Sequence, residues 1–558
     1  MTLIKSINSD FVVRELDLQG NPEQIKNYSD PFEKEFQTFL AFLQPGFKIP
    51  LIDLKPIQSI ISSEDYEKMS NFIQNFTLNT TLTITAPESK QDRTTLHMFI
   101  KSLHIPTIES STSNTEIIIV IHQKIKPPKI PNSQRYLHFT LEKSALDTNS
   151  ALALLIKNLP FYAKYFTIKD FTYNGIKDKR GVTSQRICVK NKDSWPYYFI
   201  NAASKAQELM VGDFAFSDDF LNLNQHSGNE FEVVFRKCQI SLLSELEKIS
   251  KYGFSNNFGP QRFGSCSIKT DEIGASIVQN NFVKALKQIV INSVQTCKNY
   301  NNEFNNLQFD QQFDFSLQFV NSGEFVRDGG KIVKILQEKF SQSDFTNQQA
   351  REVLEICLPR NLQTFYFHAF QSKIFNFLTS KLSKTLQIDD CVQGNCGQIL
   401  KVHEGNIDQF TIFDRVLPLI GFSTFKTTPE IFGNNKMLTE VNILLKEFGV
   451  ELETFPSFSR NFLAPGGWRK VTNKPVGIEV QVFQHDEIME EFYIQQRKFN
   501  KISDSDCNSL VHKNLSIIAK FRLDKSVYAT ELIGEVLGES YDQEKQKQLM
   551  ISYGINTE

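Results

Sequence analysis

The chain lacks paired cysteines. Its eight cysteines, at 188, 238, 266, 297, 357, 391, 396 and 507, form no CxxC unit, and the nearest two are Cys391 and Cys396. That spacing excludes a zinc framework and, in a chain of 558 residues, a disulfide scaffold. Reduced thiols point to a nuclear or cytoplasmic compartment. Long apolar runs are missing as well. The most apolar stretch, Ile117 to Ile121, is far too short to cross a bilayer. The opening residues MTLIKSINSDF carry an acid early and no apolar segment of the kind a signal peptide uses, so no membrane involvement is expected. Excess positive charge is absent too: 61 Lys and Arg stand against 63 Asp and Glu, a net charge of −2. A broad, nonspecific polyanion binder is excluded by that balance. A local basic cleft is not, because charges are screened within roughly 10 Å. There is no GxxxxGK[ST] loop, no HExxH pair and no metal-ligand spacing among the nine histidines. Neither phosphoryl transfer nor a metal site is expected, and no cofactor is implied.

What is present is ordinary globular composition, 40% hydrophobic and 22% charged, with 49 phenylalanines. The length suggests roughly two to four domains. Segments 115–122, 135–141, 169–174, 184–190, 230–238, 476–483 and 515–523 are rich in β-branched or aromatic residues and read as strands. Asp147 and Thr148 offer N-caps to the apolar helix ALALLIKNL, and 364–383 and 527–537 carry apolar residues at helical spacing. The signals are interspersed without a βαβ rhythm, which predicts an α+β fold with a largely antiparallel sheet. Residues 299–315, rich in Asn and Gln, are expected to be a surface insertion or loop, with interleaved Phe residues able to dock on the body.

The most informative segment is FTYNGIKDKRGVTSQRICVK. Asp178 sits between Lys177 and Lys179, with Arg180 and Arg186 close by. Such cations favour an ionised carboxylate, the form a covalent or electrostatic catalyst requires, and they suit a phosphate backbone. Gly175 and Gly181 permit backbone shapes a Cβ would forbid. The same composition also describes a solvated turn.

GIKDKRGVTSQ resembles the signature of the TruD family of pseudouridine synthases. Further blocks match in the same order. Lys5 with Ser9 to Val13 and Glu15 is similar to the family's opening block, and HFTLEKSALDTNSAL at 138–152 to its strand and D-T helix start. Gly228-Asn229-Glu230-Phe231 with Arg236, NNFGPQRFG at 256–264, FQSKIFN at 370–376, VLPLIG at 416–421 and FRLDKSVYATELIGEVL at 521–537 continue the resemblance. KQDRTTLHMFIKS at 90–102 is similar to a block of the eukaryotic branch. Asn257 stands where the family has Tyr, Trp468 precedes Arg469 where it has Tyr, and Gly534 replaces an Arg of the closing block.

The resemblance implies an α+β fold with a bent, largely antiparallel mixed sheet. It implies a discontinuous catalytic domain of residues 1–255 and 476–558, with 265–475 as an inserted α+β domain. Asp178 is then the catalytic carboxylate and Lys5 its charge partner. Asn256 and Phe258 would orient the catalytic loop and pack on the target base. Lys177, Arg180 and Arg262 would contact substrate. Gly175, Thr183 and Gln185 would support the loop, the last two by hydrogen bonds. The implied partner is RNA, above all tRNA, with small nuclear or messenger RNA beyond it. No obligate protein partner is implied. The alternatives are a noncatalytic RNA-binding or RNA-folding protein that retains the fold, and a scaffold without an RNA role.

Overall fold

A computed structural model describes residues 2–33, 36–37, 52–75, 80–103, 108–121, 129–130, 133–177, 179–222, 225–297, 302–321, 328–339, 345–421, 436–450, 466–485, 514–538 and 546. Strands β1 (Leu3–Ile4) and β2 (Phe11–Leu16) open the chain. Next come helix α1 (Ser63–Gln74), β3 (Thr80–Thr85), α2 (Lys90–Ser102), β4 (Ile108–Ser113) and β5 (Glu116–Ile121). These pair as a separate sheet, β3-β5-β4. Its core is Leu54, Ile57, Met69, Ile73, Leu96, Ile100, Ile117 and Ile119. Residues 52–121 are thus a unit of their own inside the stretch expected as one catalytic segment. The alternation of β5, the central strand, buries Ile117, Ile119 and Ile121 on one face of the sheet, where Ile117 and Ile119 pack with Met69, Ile73, Leu96 and Ile100 of the helices. His97 is held in this unit, one ring nitrogen 2.7 Å from Ser110 Oγ and the other 2.9 Å from Thr112 Oγ1.

The main sheet is assembled from β1, β2 and later strands. These are β6 (Tyr136–Ser144), β7 (Phe171–Tyr173), β8 (Val182–Lys190), β9 (Leu209–Ser217) and β10 (Gly228–Arg236). Helices α3 (Thr148–Asn158) and α4 (Pro196–Ala203) pack with β6, β8 and β9 around Phe139, Leu155, Ile187 and Phe199. Asp147 caps α3 by accepting from Ser150 N–H at 3.0 Å. Helix α5 (Leu242–Tyr252) follows β10.

A short strand β11 (Phe254–Ser255) then leads into the second body. This body holds α6 (Thr270–Val278), α7 (Phe282–Gln295), α8 (Phe309–Asn321), α9 (Asp328–Lys339), α10 (Asn347–Cys357) and α11 (Arg360–Ser380). Strands β12 (Cys391–Gln393), β13 (Ile399–Lys401) and β14 (Val416–Leu419), helix α12 (Lys436–Glu447), and strands β15 (Gly467–Lys470) and β16 (Thr472–Asn473) complete it. β11 pairs with β16, Phe254 opposite Asn473 and Ser255 opposite Thr472, so the chain enters and leaves this body through a two-stranded neck. Gly253, at φ +71°, makes the neck possible: a Cβ there would lie 2.5 Å from Asn473 O. α11 is buried nearly all round, and α6 crosses it closely, a Cβ on Gly274 falling 2.2 Å from Tyr366 O.

The expectation of a loop over 299–315 is corrected where those residues are described. A short 3-10 turn covers Asn302–Asn306, and from Phe309 the chain is helical. Phe309, Phe313, Leu317 and Val320 recur at helical spacing and pack into the α7–α10 core, where Phe304 and Phe313 are buried. Burial of this stripe outweighs the weak helix propensity of the Asn-rich sequence.

The chain returns to the main sheet as β17 (Val476–His485) and β18 (Asn514–Asp524), and α13 (Ala529–Leu537) closes the described elements. The order is β17-β18-β10-β2-β8-β6-β9, with β1 on β10 and β7 on β8. Every pair is antiparallel except β2–β8, which runs parallel from Val12–Val182 to Arg14–Ser184. The fold is α+β with a mixed, largely antiparallel sheet, and the strands expected at 135–141, 169–174, 184–190, 230–238, 476–483 and 515–523 all lie in it.

Candidate active site

The parallel pair positions the site. Two parallel neighbours begin at the same end of a sheet. The segment before β2, which holds Lys5, therefore lies beside the segment before β8, which ends in Gly181. Gly181 has φ +130°, and a Cβ on it would lie 2.4 Å from Phe11 O. Lys5, in the left-handed region at φ +51°, extends its ammonium 3.6 Å from the Phe11 ring centroid. The turn around Lys5 is pinned by Asp10, which accepts from Ser6 N–H at 3.0 Å and Ile7 N–H at 3.1 Å. Asp10 is itself paired with Arg236 at 2.6 Å, both fully buried.

Strand alternation sends Phe11, Val13 and Glu15 to one face of β2, opposite Phe231 and Asn229 of β10. Arg14 points the other way, toward Glu230 at 3.5 Å and Glu232 at 3.3 Å. The loop 174–177 crosses the first face. Glu15 gathers it: its carboxylate accepts from Asn174 Nδ2 at 2.7 Å and pairs with Lys177 Nζ at 3.0 Å. Lys177 Nζ also donates to Asn229 Oδ1 at 2.7 Å, and its backbone N–H to Thr148 Oγ1 at 2.9 Å. Thr148 donates to Gln185 Oε1 at 2.8 Å, and Gln185 Nε2 returns to Gly175 O at 3.1 Å. Gln185 thus clamps the loop from below. Thr183 is fully buried in β8, but its hydroxyl makes no hydrogen bond among the described residues, so it supports the loop through strand pairing alone. Asp178 lies outside the described residues.

A cavity of about 470 Å³ opens on this face, between the sheet and the second body. Phe11, Val13, Asn229 and Phe231 floor it, Gly175 to Lys177 form one side, and Gln261, Arg262, Phe365 and Ser526 to Thr530 form the other. His226 closes it, buried, with its Nδ1 unbonded among the described residues. Burial holds His226 below the usual imidazole range, and the Lys177 and Lys525 ammonium groups add to this while Glu15 opposes it. The site is lined by aromatic rings and cations with a buried imidazole.

Of the residues expected from the sequence, Gly175, Lys177 and Arg262 line the cavity, and Lys5 stands against its Phe11 wall. Arg262 stacks between two rings, 5.4 Å from Phe258 and 5.4 Å from Phe365. Arg180 is exposed and does not line the cavity. Asn256 and Phe258 lie behind the wall. Phe258, 7% exposed, packs edge-on against Phe375 and Tyr528, and its backbone is bonded in both directions by Asn376, at 2.8 and 2.9 Å. The Arg469 guanidinium covers the Phe258 ring at 4.1 Å. Arg469 also donates to Asn256 O at 3.0 Å, Asn256 Oδ1 at 2.8 Å and Ser526 O at 2.9 Å, joining the 256 segment to the turn before α13. Burial lowers its pKa to about 10, helped by Arg262 and opposed by Tyr528 and Glu531. Sequence reasoning did not single out His226, Phe365 or Tyr528 for the site. Glu15, Asn229 and Tyr528 did sit in the matched blocks, but no local pattern marks His226 or Phe365.

A family profile described as tRNA pseudouridine synthase D (TruD) matches residues 115–536. The multisubstrate pseudouridine synthase 7 of Schizosaccharomyces pombe is 23% identical over 515 residues, covering 84% of this chain and 72% of that protein. The human pseudouridylate synthase 7 homolog is 24% identical over 586 residues, covering 98% and 80%. A solved structure, the putative tRNA pseudouridine synthase D of Methanosarcina mazei, aligns with a TM-score of 0.49 at 20% identity, over 74% of this chain and 90% of that one. The protein is therefore of the RNA pseudouridine synthase class, which are isomerases. Within that class the chain belongs to the TruD family.

Proposed function

We propose that the protein converts specific uridines of tRNA to pseudouridine, with small nuclear and messenger RNA as further substrates, and that the Asp178 carboxylate carries the reaction. The observation that supports this most is the 470 Å³ cavity, one side of which runs up to Lys177, the residue before Asp178. The target uridine leaves its stack to enter the cavity, as substrates do for other enzymes that act on a base. The bond between C1′ and N1 of the nucleotide breaks, the uracil turns, C5 bonds to C1′ and gives up its hydrogen as a proton, and N1 takes up a proton. Atoms are conserved and no electron is gained or lost. Asp178 acts as nucleophile, or as the carboxylate that drives this cleavage, and Lys5 keeps it ionised.

Arg262 and Arg180 meet the RNA, Arg262 inside the cavity and Arg180 on its exposed approach. Phe258 and Asn256 act from behind the wall by holding Arg469 and Arg262. The rings open to a base are Phe365 and Tyr528. Lys177 is bound to Glu15 and Asn229, which supports a role in anchoring the loop. The neck at 254–255 and 472–473 supports a catalytic domain of 1–255 and 476–558 carrying an inserted domain over 265–475. The cysteine spacing, which has no CxxC unit, supports a nuclear or cytoplasmic compartment. Among the described residues no helix is long and apolar enough to cross a membrane.

The test is Asp178→Asn, which removes the charge and keeps the shape. Tritium release from RNA carrying 5-tritiated uridine is expected to be abolished while filter-binding affinity is retained. Turnover near wild type would remove the carboxylate from the chemistry.

A further inference from the structure

Far from the cavity, at the other end of β8, exposed rings and lysines gather. Phe161 is 72% exposed, and Tyr165 and Ile168 are each 44% exposed. Large apolar side chains grouped this openly mark contact surfaces. Tyr165 is held rather than loose: its hydroxyl donates to Lys192 O at 2.9 Å, and its ring lies 4.6 Å from that of Phe166. That bond ties the 161–168 segment to the end of β8. There an open groove of about 460 Å³ is lined by Arg135, Tyr136 and Lys190 to Asp193.

The charge of this region departs from that of the chain. Around this end of β8 Arg135, Lys157, Lys164, Lys169, Lys190 and Lys192 stand against Asp170, Asp193 and Asp218, in a protein whose net charge is −2. Lys157, Lys164, Lys169 and Lys190 are exposed. The local acids are already engaged. Asp170 is buried against Lys192 at 2.6 Å and accepts from Thr167 N–H at 2.9 Å. Asp193 accepts from Ile130 N–H at 3.3 Å, and Asp218 from Arg135 N–H at 3.1 Å. Exposed rings interleaved with unneutralised lysines match a single-stranded nucleic acid, whose bases stack on rings and whose phosphates meet cations.

We infer that the rings of Phe161 and Tyr165, with Lys169 and Lys190, form a second RNA-binding platform that grips the substrate strand away from the target uridine. The inference rests on the reading of the protein as an RNA-modifying enzyme. β8 sets the distance. Val182 adjoins the catalytic loop and Lys190 the groove, and the eight steps between them span about 26 Å. At about 3.4 Å per stacked nucleotide, roughly eight nucleotides bridge the two sites. RNA long enough to reach both is held at two points, so the second contact acts at high effective concentration.

The test compares equilibrium affinity for two single-stranded RNAs. One spans only a uridine and its immediate neighbours; the other extends beyond it by more than about eight nucleotides on each side. The variant is Phe161→Ala with Lys169→Gln and Lys190→Gln, which spares Lys192 because Asp170 depends on it. Affinity for the long RNA is expected to fall about tenfold or more for the lost stacking alone, and its salt dependence to flatten by about 0.7 for each lost phosphate contact. Affinity for the short RNA and the melting temperature should hold. Equal losses on both RNAs, or no loss on the long one, as for a surface that docks a protein, would overturn the platform. Because binding is read without turnover, failure of the catalytic reading would show separately, as wild-type enzyme that binds both RNAs and modifies neither.

Discussion

Lys177 and Glu15 form a buried ion pair at 3.0 Å, 7% and 1% exposed, between the loop that leads into Asp178 and the strand on which the cavity is built. The pair joins residues 162 positions apart in sequence. Asn229 and Asn174 complete it from the neighbouring strand and from the loop itself. Such a cluster over-determines the backbone leading into Asp178, which a reaction needing a fixed carboxylate requires.

Breaking the pair from one side leaves a buried charge uncompensated, which costs about 3–5 kcal/mol. Lys177→Met is therefore expected to lower both the urea midpoint and the single-turnover rate. Glu15→Gln with Lys177→Met should lose less stability than the sum of the two single losses, since the second change removes the stranded charge. Additive losses in the double-mutant cycle would show that the two side chains do not act as a pair.

Lys5 gives a prediction in pH. If its ammonium keeps the Asp178 carboxylate ionised, Lys5→Met should move the acidic limb of the single-turnover pH–rate profile upward by about 1–3 units, the range by which a nearby cation shifts a carboxylate. A folding defect would instead depress the rate at every pH and lower the melting temperature. An unchanged limb at unchanged stability would remove Lys5 from the chemistry and leave its contact with Phe11 as packing.

His226 links stability to pH. Its folded pKa lies below the ordinary 6.5, chiefly through burial. As pH falls below 6.5 the unfolded chain takes up a proton that the folded protein still refuses, so stability is lost on acidification and is full above that value. The slope from this one group is at most about 1.4 kcal/mol per pH unit. His226→Gln should flatten the decline of the urea midpoint between neutral and mildly acid pH. A slope identical to wild type would mean that His226 titrates alike in both states.

Much of this molecule was legible in the linear chain. The β-branched and aromatic segments 184–190 and 230–238 and the Asp147 cap are local patterns, and strands and a capped helix stand there; Asp178, the centre of the charged loop, lies outside the described residues. The 299–315 stretch misled because composition was weighed above the spacing of Phe309, Phe313 and Leu317. Asn256 and Phe258 show a different limit. A motif can mark residues as belonging to a site without telling whether they face the cavity or, as here, the Arg469 guanidinium behind it.

The sequence by itself determined most of the elements and the family, because these depend on residues near one another in the chain or on order along it. Tertiary structure alone decided which distant residues meet. The segment that holds Lys5 lies beside the segment before β8 because β2 and β8 run parallel and begin at one end of the sheet. Glu15 meets Lys177 because side chains alternate along β2 and the loop crosses that face. His226, Phe365 and Tyr528 converge because the two-stranded neck sets the second body against the sheet. Strand direction, register and the docking of separate bodies arise from contacts between residues hundreds of positions apart, and no local periodicity encodes them.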